Sequence, residues 1–237
     1  MVVRIRGFQV VDIFDMLDDK LRFVHRFYDT VSRPFSLVIA KIENHEEPYD
    51  VYDMEDPVPF EIEWQENRES LNVLGQCCLS LVQRSFKEFL AAFVARSNCV
   101  RESEVPKLIG KQRGEKSWFD SYQRYFRQTY EIEWSRSPVS PNFLEEISLA
   151  RNAVWHDGSV WDLTVKQDQK YYDRFPDSLF ADDWEKETWP YTWSESLPYQ
   201  PHKIDITADK LKLAIEAVRG FCSYLDEQWE SHAQFLE

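Results

Sequence analysis

The sequence predicts a mainly α protein: an up-and-down helical bundle with a small antiparallel β-ribbon and an aromatic-rich insertion, in a single domain over residues 1–237. Three observations lead there. Apolar residues recur at steps of three and four along five stretches. Period-two alternation marks two short runs, 160–165 and 203–206. Only 6 glycines occur in 237 residues, too few for several Gly-rich phosphate-cradling loops.

The first helix is expected over 8–31, with Val10, Phe14, Leu17, Leu21, Val24 and Tyr28 on one stripe. Ser32-Arg33-Pro34 should end it, because the residue before a proline avoids the helical region. A shorter helical stretch follows at 35–43. Residues 43–69 hold 11 acids and one base, Arg68, and read as an acidic connection with a short strand at 60–64. The clearest helix runs from about Ser70 to Arg96. Its stripe of Leu71, Leu74, Cys78, Leu81, Val82, Phe86, Phe89 and Phe93 is widened by Val73, Cys77, Leu90 and Val94. Another helix is expected from Ser117 to Glu131.

Ser140-Pro141 is a helix start, and Asp157-Gly158 is a stop. Glu145 and Glu146 suit the positive end of the intervening dipole, and Phe143, Ile147, Ala150 and Val154 make its stripe. Residues 160–165 and 203–206 are expected to pair as the ribbon. Between them lies the insertion 166–202, acidic and rich in aromatics, including Trp184, Trp189 and Trp193. A last helix begins at Thr207, with Leu211, Ile215, Val218, Cys222, Leu225 and Trp229 on its stripe.

Composition bounds the function. A formal charge of −14, from 42 acids against 28 bases, argues against a sequence-blind nucleic-acid binder with a basic face all round. It leaves room for a local basic site. Residues 101–127 are the one basic reach, with seven bases against four acids. Within it Lys111, Arg113, Arg124 and Arg127 are the candidate RNA contacts, interleaved with Tyr122, Tyr125 and Phe126. The plain alternative is a solvated helix face. No apolar run approaches the roughly 18–20 residues of a membrane helix, and no secretory leader is legible at the N-terminus. Cys77, Cys78, Cys99 and Cys222 form no C-x2-C pair, so no metal is expected, and they read as free thiols of a reducing cytoplasm, with Cys77 and Cys78 buried. No cofactor motif is present.

The candidate chemistry lies at the end of the helix over 141–156, in Arg151-Asn152-Ala153-Val154-Trp155-His156. An arginine can hold a scissile phosphate and stabilise charge on a phosphorane. A histidine can take a proton from a 2′-OH or give one to the leaving oxygen. Asn152 can orient Arg151 or the phosphate. Residues five apart lie about 140° apart around a helix, so the pair would meet only across a groove at the helix end. The plain alternative is a surface arginine and a helix-terminal histidine interacting with the dipole.

This segment, an arginine followed by a polar residue and then a histidine at the end of a bundle helix, resembles the HEPN family (higher eukaryotes and prokaryotes nucleotide-binding domains). The string from Leu149 to Gly158 is similar to many members, and residues 70–233 follow the helical layout loosely. The resemblance implies a metal-independent ribonuclease, a toxin or antiviral defence effector. In it a homodimer would line one cleft with Arg151 and His156 of both chains. RNA would be the substrate, with an antitoxin or regulatory protein as a further partner. It also implies an alternative, since some members are catalytically silent interaction subunits. Two features depart from the family core: the acidic surface and the insertion. The tyrosine that one toxin–antitoxin subgroup carries two positions after the histidine is absent, because Gly158 stands there.

Overall fold

The computed structural model describes residues 12–50, 60–115, 117–156, 166–167, 169–188 and 202–234. The described residues form eight α-helices: α1 (Ile13–Glu43), α2 (Glu61–Ser97), α3 (Val105–Ile109), α4 (Trp118–Tyr130), α5 (Pro141–His156), α6 (Gln169–Arg174), α7 (Asp183–Thr188) and α8 (Ala208–Gln234). Two 3-10 turns, Glu102–Glu104 and Trp134–Arg136, join them. The protein is thus mainly α, and no helix among the described residues is long and apolar enough to cross a membrane.

Two boundaries differ from expectation. Helix α1 runs through Pro34 instead of stopping before it. Both Pro34 and Thr30, whose carbonyl loses its helical donor, are exposed, so water can take that bond. Helix α2 starts at Glu61, so the strand expected over 60–64 is the first turn of a helix. Phe60 takes a left-handed φ of 70° just before it, and Glu61 and Glu63 sit at the favourable positive end. The acidic connection therefore shrinks to the stretch before Glu61. Its flanks are tied by Tyr49 donating to Glu63 (2.6 Å), Trp64 Nε1 donating to Glu43 (3.0 Å), and the Tyr49 and Phe60 rings at 5.0 Å.

The residues gather into two compact units, each assembled from separate stretches of chain. The first holds residues 1–23, 81–147 and 214–237. Its core is aromatic, and Trp134 packs edge-on against Phe119 (4.9 Å), Phe126 (5.5 Å) and Phe221 (4.9 Å). Phe93 meets Phe126, Tyr130 and Trp229. Helix α4 opens as expected at Ser117, whose hydroxyl accepts from Asp120 N–H while the Asp120 carboxylate accepts from Ser117 N–H. It closes on Glu131 in the left-handed conformation. On α2, Leu81 is exposed, outside the buried stripe of Val82, Phe86, Phe89, Leu90 and Phe93.

The second unit holds residues 24–80 and 148–213. Gly75 of α2 lies so close to the extended residues 204–206 that a Cβ there would sit 2.1 Å from the Ile206 carbonyl oxygen. Cys77 is exposed on α2, whereas its neighbour Cys78 is buried, which corrects the expectation that both are interior. The expected ribbon is not formed among the described residues. Its first arm, 160–165, lies outside them, and 203–206 makes only isolated bridges, Lys166 with Lys203 and Ala181 with Ile204. The backbone of 203–206 is engaged elsewhere. Asp182 N–H donates to Lys203 C=O (2.8 Å), and Asp205 N–H donates to Phe180 C=O (2.8 Å). The Asn72 amide takes the other side, donating to Ile204 C=O and accepting from Ile206 N–H (both 3.0 Å). Glu185 accepts Lys203 N–H at 2.6 Å. Such side-chain partners satisfy an extended segment without a ladder.

The insertion contributes two short helices, α6 and α7, to this unit. Among its described residues the buried aromatics are Tyr171 and Phe180, while Trp184 is 64% exposed. Trp189 and Trp193 lie outside the described residues. Buried Lys210 of α8 ties the insertion down, donating to Ala181 C=O (2.8 Å) and pairing with Asp183 (3.1 Å).

Candidate functional site

Helix α5 has the predicted limits, Pro141–His156. The N–H groups of Phe143 and Leu144 both donate to Ser140 C=O, which starts the first turn. The buried stripe is Leu144, Ile147, Ala150 and Ala153, rotated from the expected one, with Phe143 and Val154 half-buried at its edge. Glu145 and Glu146 are buried and lie just past the first turn.

Arg151 and Asn152 are both half-buried near the end of this helix. Arg151 Nη1 donates to Asn152 Oδ1 at 3.2 Å. Adjacent helical residues point about 100° apart, so this contact draws the guanidinium sideways around the helix and limits its freedom. The Arg151 Nε is buried. A guanidinium is planar and can make a bidentate contact with a phosphate. The backbone of His156 ends the helix, about 7.5 Å further along the axis. The side chains of Trp155 and His156 lie outside the described residues. The structure therefore brings Arg151 and Asn152 together and carries His156 at the helix end.

The four candidate RNA contacts divide. Lys111, Arg113 and Arg127 are exposed. Arg124 is 14% exposed and its donors are committed within the protein. Its Nε pairs with Glu115 at 2.5 Å, its Nη2 donates to the carbonyls of Ile109 (2.8 Å) and Gly110 (2.7 Å), and its Nη1 reaches Gln128 (3.3 Å). It is a scaffold residue of the loop before α4. Sequence reasoning could not see this, because Glu115 and Arg124 meet across a turn with no fixed periodic spacing. Gly110, with φ at 57°, and Gly114, with φ at 101°, are the local signs of that turn.

Hydrogen bonds from Ser121 and Arg124, and from Gln112 N–H, hold the Glu115 carboxyl down at about 2. Burial pushes the thiols of Cys78 (to about 12) and Cys222 up, so neither is a ready nucleophile. Among the described residues no group of three or more His, Cys, Asp or Glu is arranged to hold a metal ion.

No family model, no curated protein and no solved structure matches this chain.

Proposed function

We propose that the chain is a metal-independent endoribonuclease of the HEPN type, working as a homodimer in toxin or defence biology. The observation that carries the reading is the arginine–asparagine pair on α5, with Arg151 Nη1 on Asn152 Oδ1, followed by His156 as the last helical residue. In the proposed reaction His156 removes the proton of a 2′-OH. The 2′ oxygen attacks the adjacent phosphorus, and the bond to the 5′ oxygen breaks. A protonated imidazole, that of His156 or of its dimer counterpart, supplies the proton to the leaving oxygen. The products are a 2′,3′-cyclic phosphate and a free 5′-OH. Arg151 stabilises the negative charge that builds on the phosphorane oxygens, and Asn152 keeps its guanidinium in place.

The test is cleavage of total RNA by the purified chain in EDTA, beside His156→Ala and Arg151→Ala. Loss of one side-chain acid–base group removes roughly 10²–10⁴ in rate. His156→Ala should therefore fall at least about a hundredfold, and Arg151→Ala, which loses charge stabilisation of about 10²–10³ in rate, by a similar factor, each with unchanged helical circular dichroism. Persistent cleavage by His156→Ala sinks the assignment. Absence of cleavage by the wild type, together with a stable complex with another protein, supports the alternative, a catalytically silent interaction subunit.

A further inference from the structure

We infer that the corner formed by residues 101–115 together with Arg127 is a docking surface for the phosphate backbone of RNA, built in the first unit and read by charge alone. The inference starts from where the acids of this reach go. Residues 101–127 carry four acids, and three are turned onto local donors. Glu104 accepts from Arg101 N–H (2.9 Å), and Asp120 accepts from Ser117 N–H (3.0 Å). Glu115 accepts from Gln112 N–H (2.8 Å), Ser121 Oγ (2.7 Å) and Arg124 Nε (2.5 Å). The bases go the other way. Arg101, Lys107, Lys111, Arg113 and Arg127 are all exposed and make no ion pair among the described residues.

Elsewhere in the same unit the cations are mixed: Lys87, Arg96 and Arg136 are also exposed without an ion pair among the described residues, but they are scattered, and others are matched. Lys20 and Arg84 both pair with Glu88, and Arg22 and Arg219 both pair with Asp18. Arg124 neutralises Glu115, and the five exposed cations then face only Glu102 and Glu104 within the corner, which leaves it locally positive in a chain of net charge −14.

The array is also held in place. Val105 and Ile109 are buried and anchor α3. Arg124 Nη2 grips the carbonyls of Ile109 and Gly110, which pins the start of the loop carrying Lys111 and Arg113 to α4. Arg127 lies one turn further along α4, about 4.5 Å in rise. Cations on a pinned loop lose less freedom on binding than cations on a loose one. Tyr122, Tyr125 and Phe126 are buried, so no ring is offered for base stacking. Contact is then to phosphates and indifferent to sequence.

The choice of RNA among polyanions rests on the proposed ribonuclease reading, so binding is measured in a way that cleavage cannot disturb. The probe is a fluorescent 20-nucleotide 2′-O-methyl RNA, which lacks the attacking hydroxyl. Anisotropy titrations from 50 to 200 mM salt compare wild type, Lys111→Glu/Arg113→Glu and Arg127→Glu. Lys170→Glu/Lys212→Glu, two exposed lysines of the second unit, makes the same change in net charge as the first pair. The expected result is a loss of at least about tenfold for the 111/113 pair at 50 mM salt. Its log–log salt slope should shrink by about 1.4, since single strands contribute about 0.7 per phosphate contact. Arg127→Glu should lose less, and the 170/212 control should bind as wild type. Equal binding by wild type and the 111/113 pair overturns the inference, as does equal loss in the control. Binding to phosphatidylserine vesicles without binding to the RNA also overturns it, in favour of a membrane. Failure of His156→Ala to lose cleavage would strike the ribonuclease reading and leave this binding result standing on its own.

Discussion

Gly75 and Glu115 show how single side chains decide local structure here. An alanine in a helix interior normally gains about 1 kcal/mol over glycine. At position 75 the added Cβ would lie 2.1 Å from a backbone oxygen and 2.8 Å from the Ile206 Cβ. Backbone cannot yield as a flexible side chain can, and overpacking costs about 1–3 kcal/mol. Gly75→Ala is therefore expected to lower the urea midpoint, and an unchanged or raised midpoint would contradict the close approach. Glu115 makes a prediction in pH. Its carboxyl is held at about 2 in the folded chain, against 4.5 for an unperturbed group, because Ser121, Arg124 and Gln112 N–H all donate to it. A depressed acid contributes stability above the higher of those values, and that contribution fades as pH falls toward the lower one. Glu115→Gln should therefore flatten the fall of stability between pH 4.5 and 2, measured by urea unfolding at stepped pH. Parallel curves for the two proteins would show that this carboxylate is not held as described.

Among the elements, legibility followed the chemistry at the ends. Helices α4, α5 and α8 begin where Ser117, Ser140-Pro141 and Thr207 say they should. Those ends are set by local bonds, such as Thr207 Oγ1 accepting from Lys210 N–H (3.3 Å), which residue type reveals. Position 34 was misleading because a proline's cost depends on whether the orphaned carbonyl meets water, and exposure is not written in the residue. The strand expected over 60–64 failed for a related reason. A period of two across five residues is indistinguishable from the start of a longer helix until its neighbours are packed. No ribbon is seen among the described residues, where the Asn72 side chain, over 130 residues away in sequence, bonds to the backbone of 204–206. At the site, sequence located Arg151 and Asn152 as neighbours, but it could not separate Arg124, a scaffold, from Arg127, a free cation. Helix α1 carries its own prediction. An interior proline costs about 3 kcal/mol, and its stiffening of the unfolded chain returns up to about 1. Pro34→Ala should thus raise stability by about 2 kcal/mol in urea unfolding. No gain would mean that the helix stops at Ser32 after all.

For the molecule as a whole, charge acts on folding and on the proposed binding in opposite directions. The formal charge of −14 makes the compact chain repel itself, and 11 of its acids fall within residues 43–69. Salt shortens the Debye length from roughly 30 Å at 0.01 M to 8 Å at 0.15 M, so this repulsion should weaken. The ion pairs that oppose it, such as Lys20–Glu88 and Arg84–Glu88, are exposed and contribute little each. Melting temperature should therefore rise with sodium chloride over that range. RNA affinity should fall over the same range, because each phosphate contact releases condensed counterions that salt makes harder to release. Measured on one preparation, the two trends should cross, with a more stable protein that binds RNA less. A melting temperature that falls with salt would mean that paired charges outweigh the excess acid. Affinity that ignores salt would mean that RNA is not held through its phosphates.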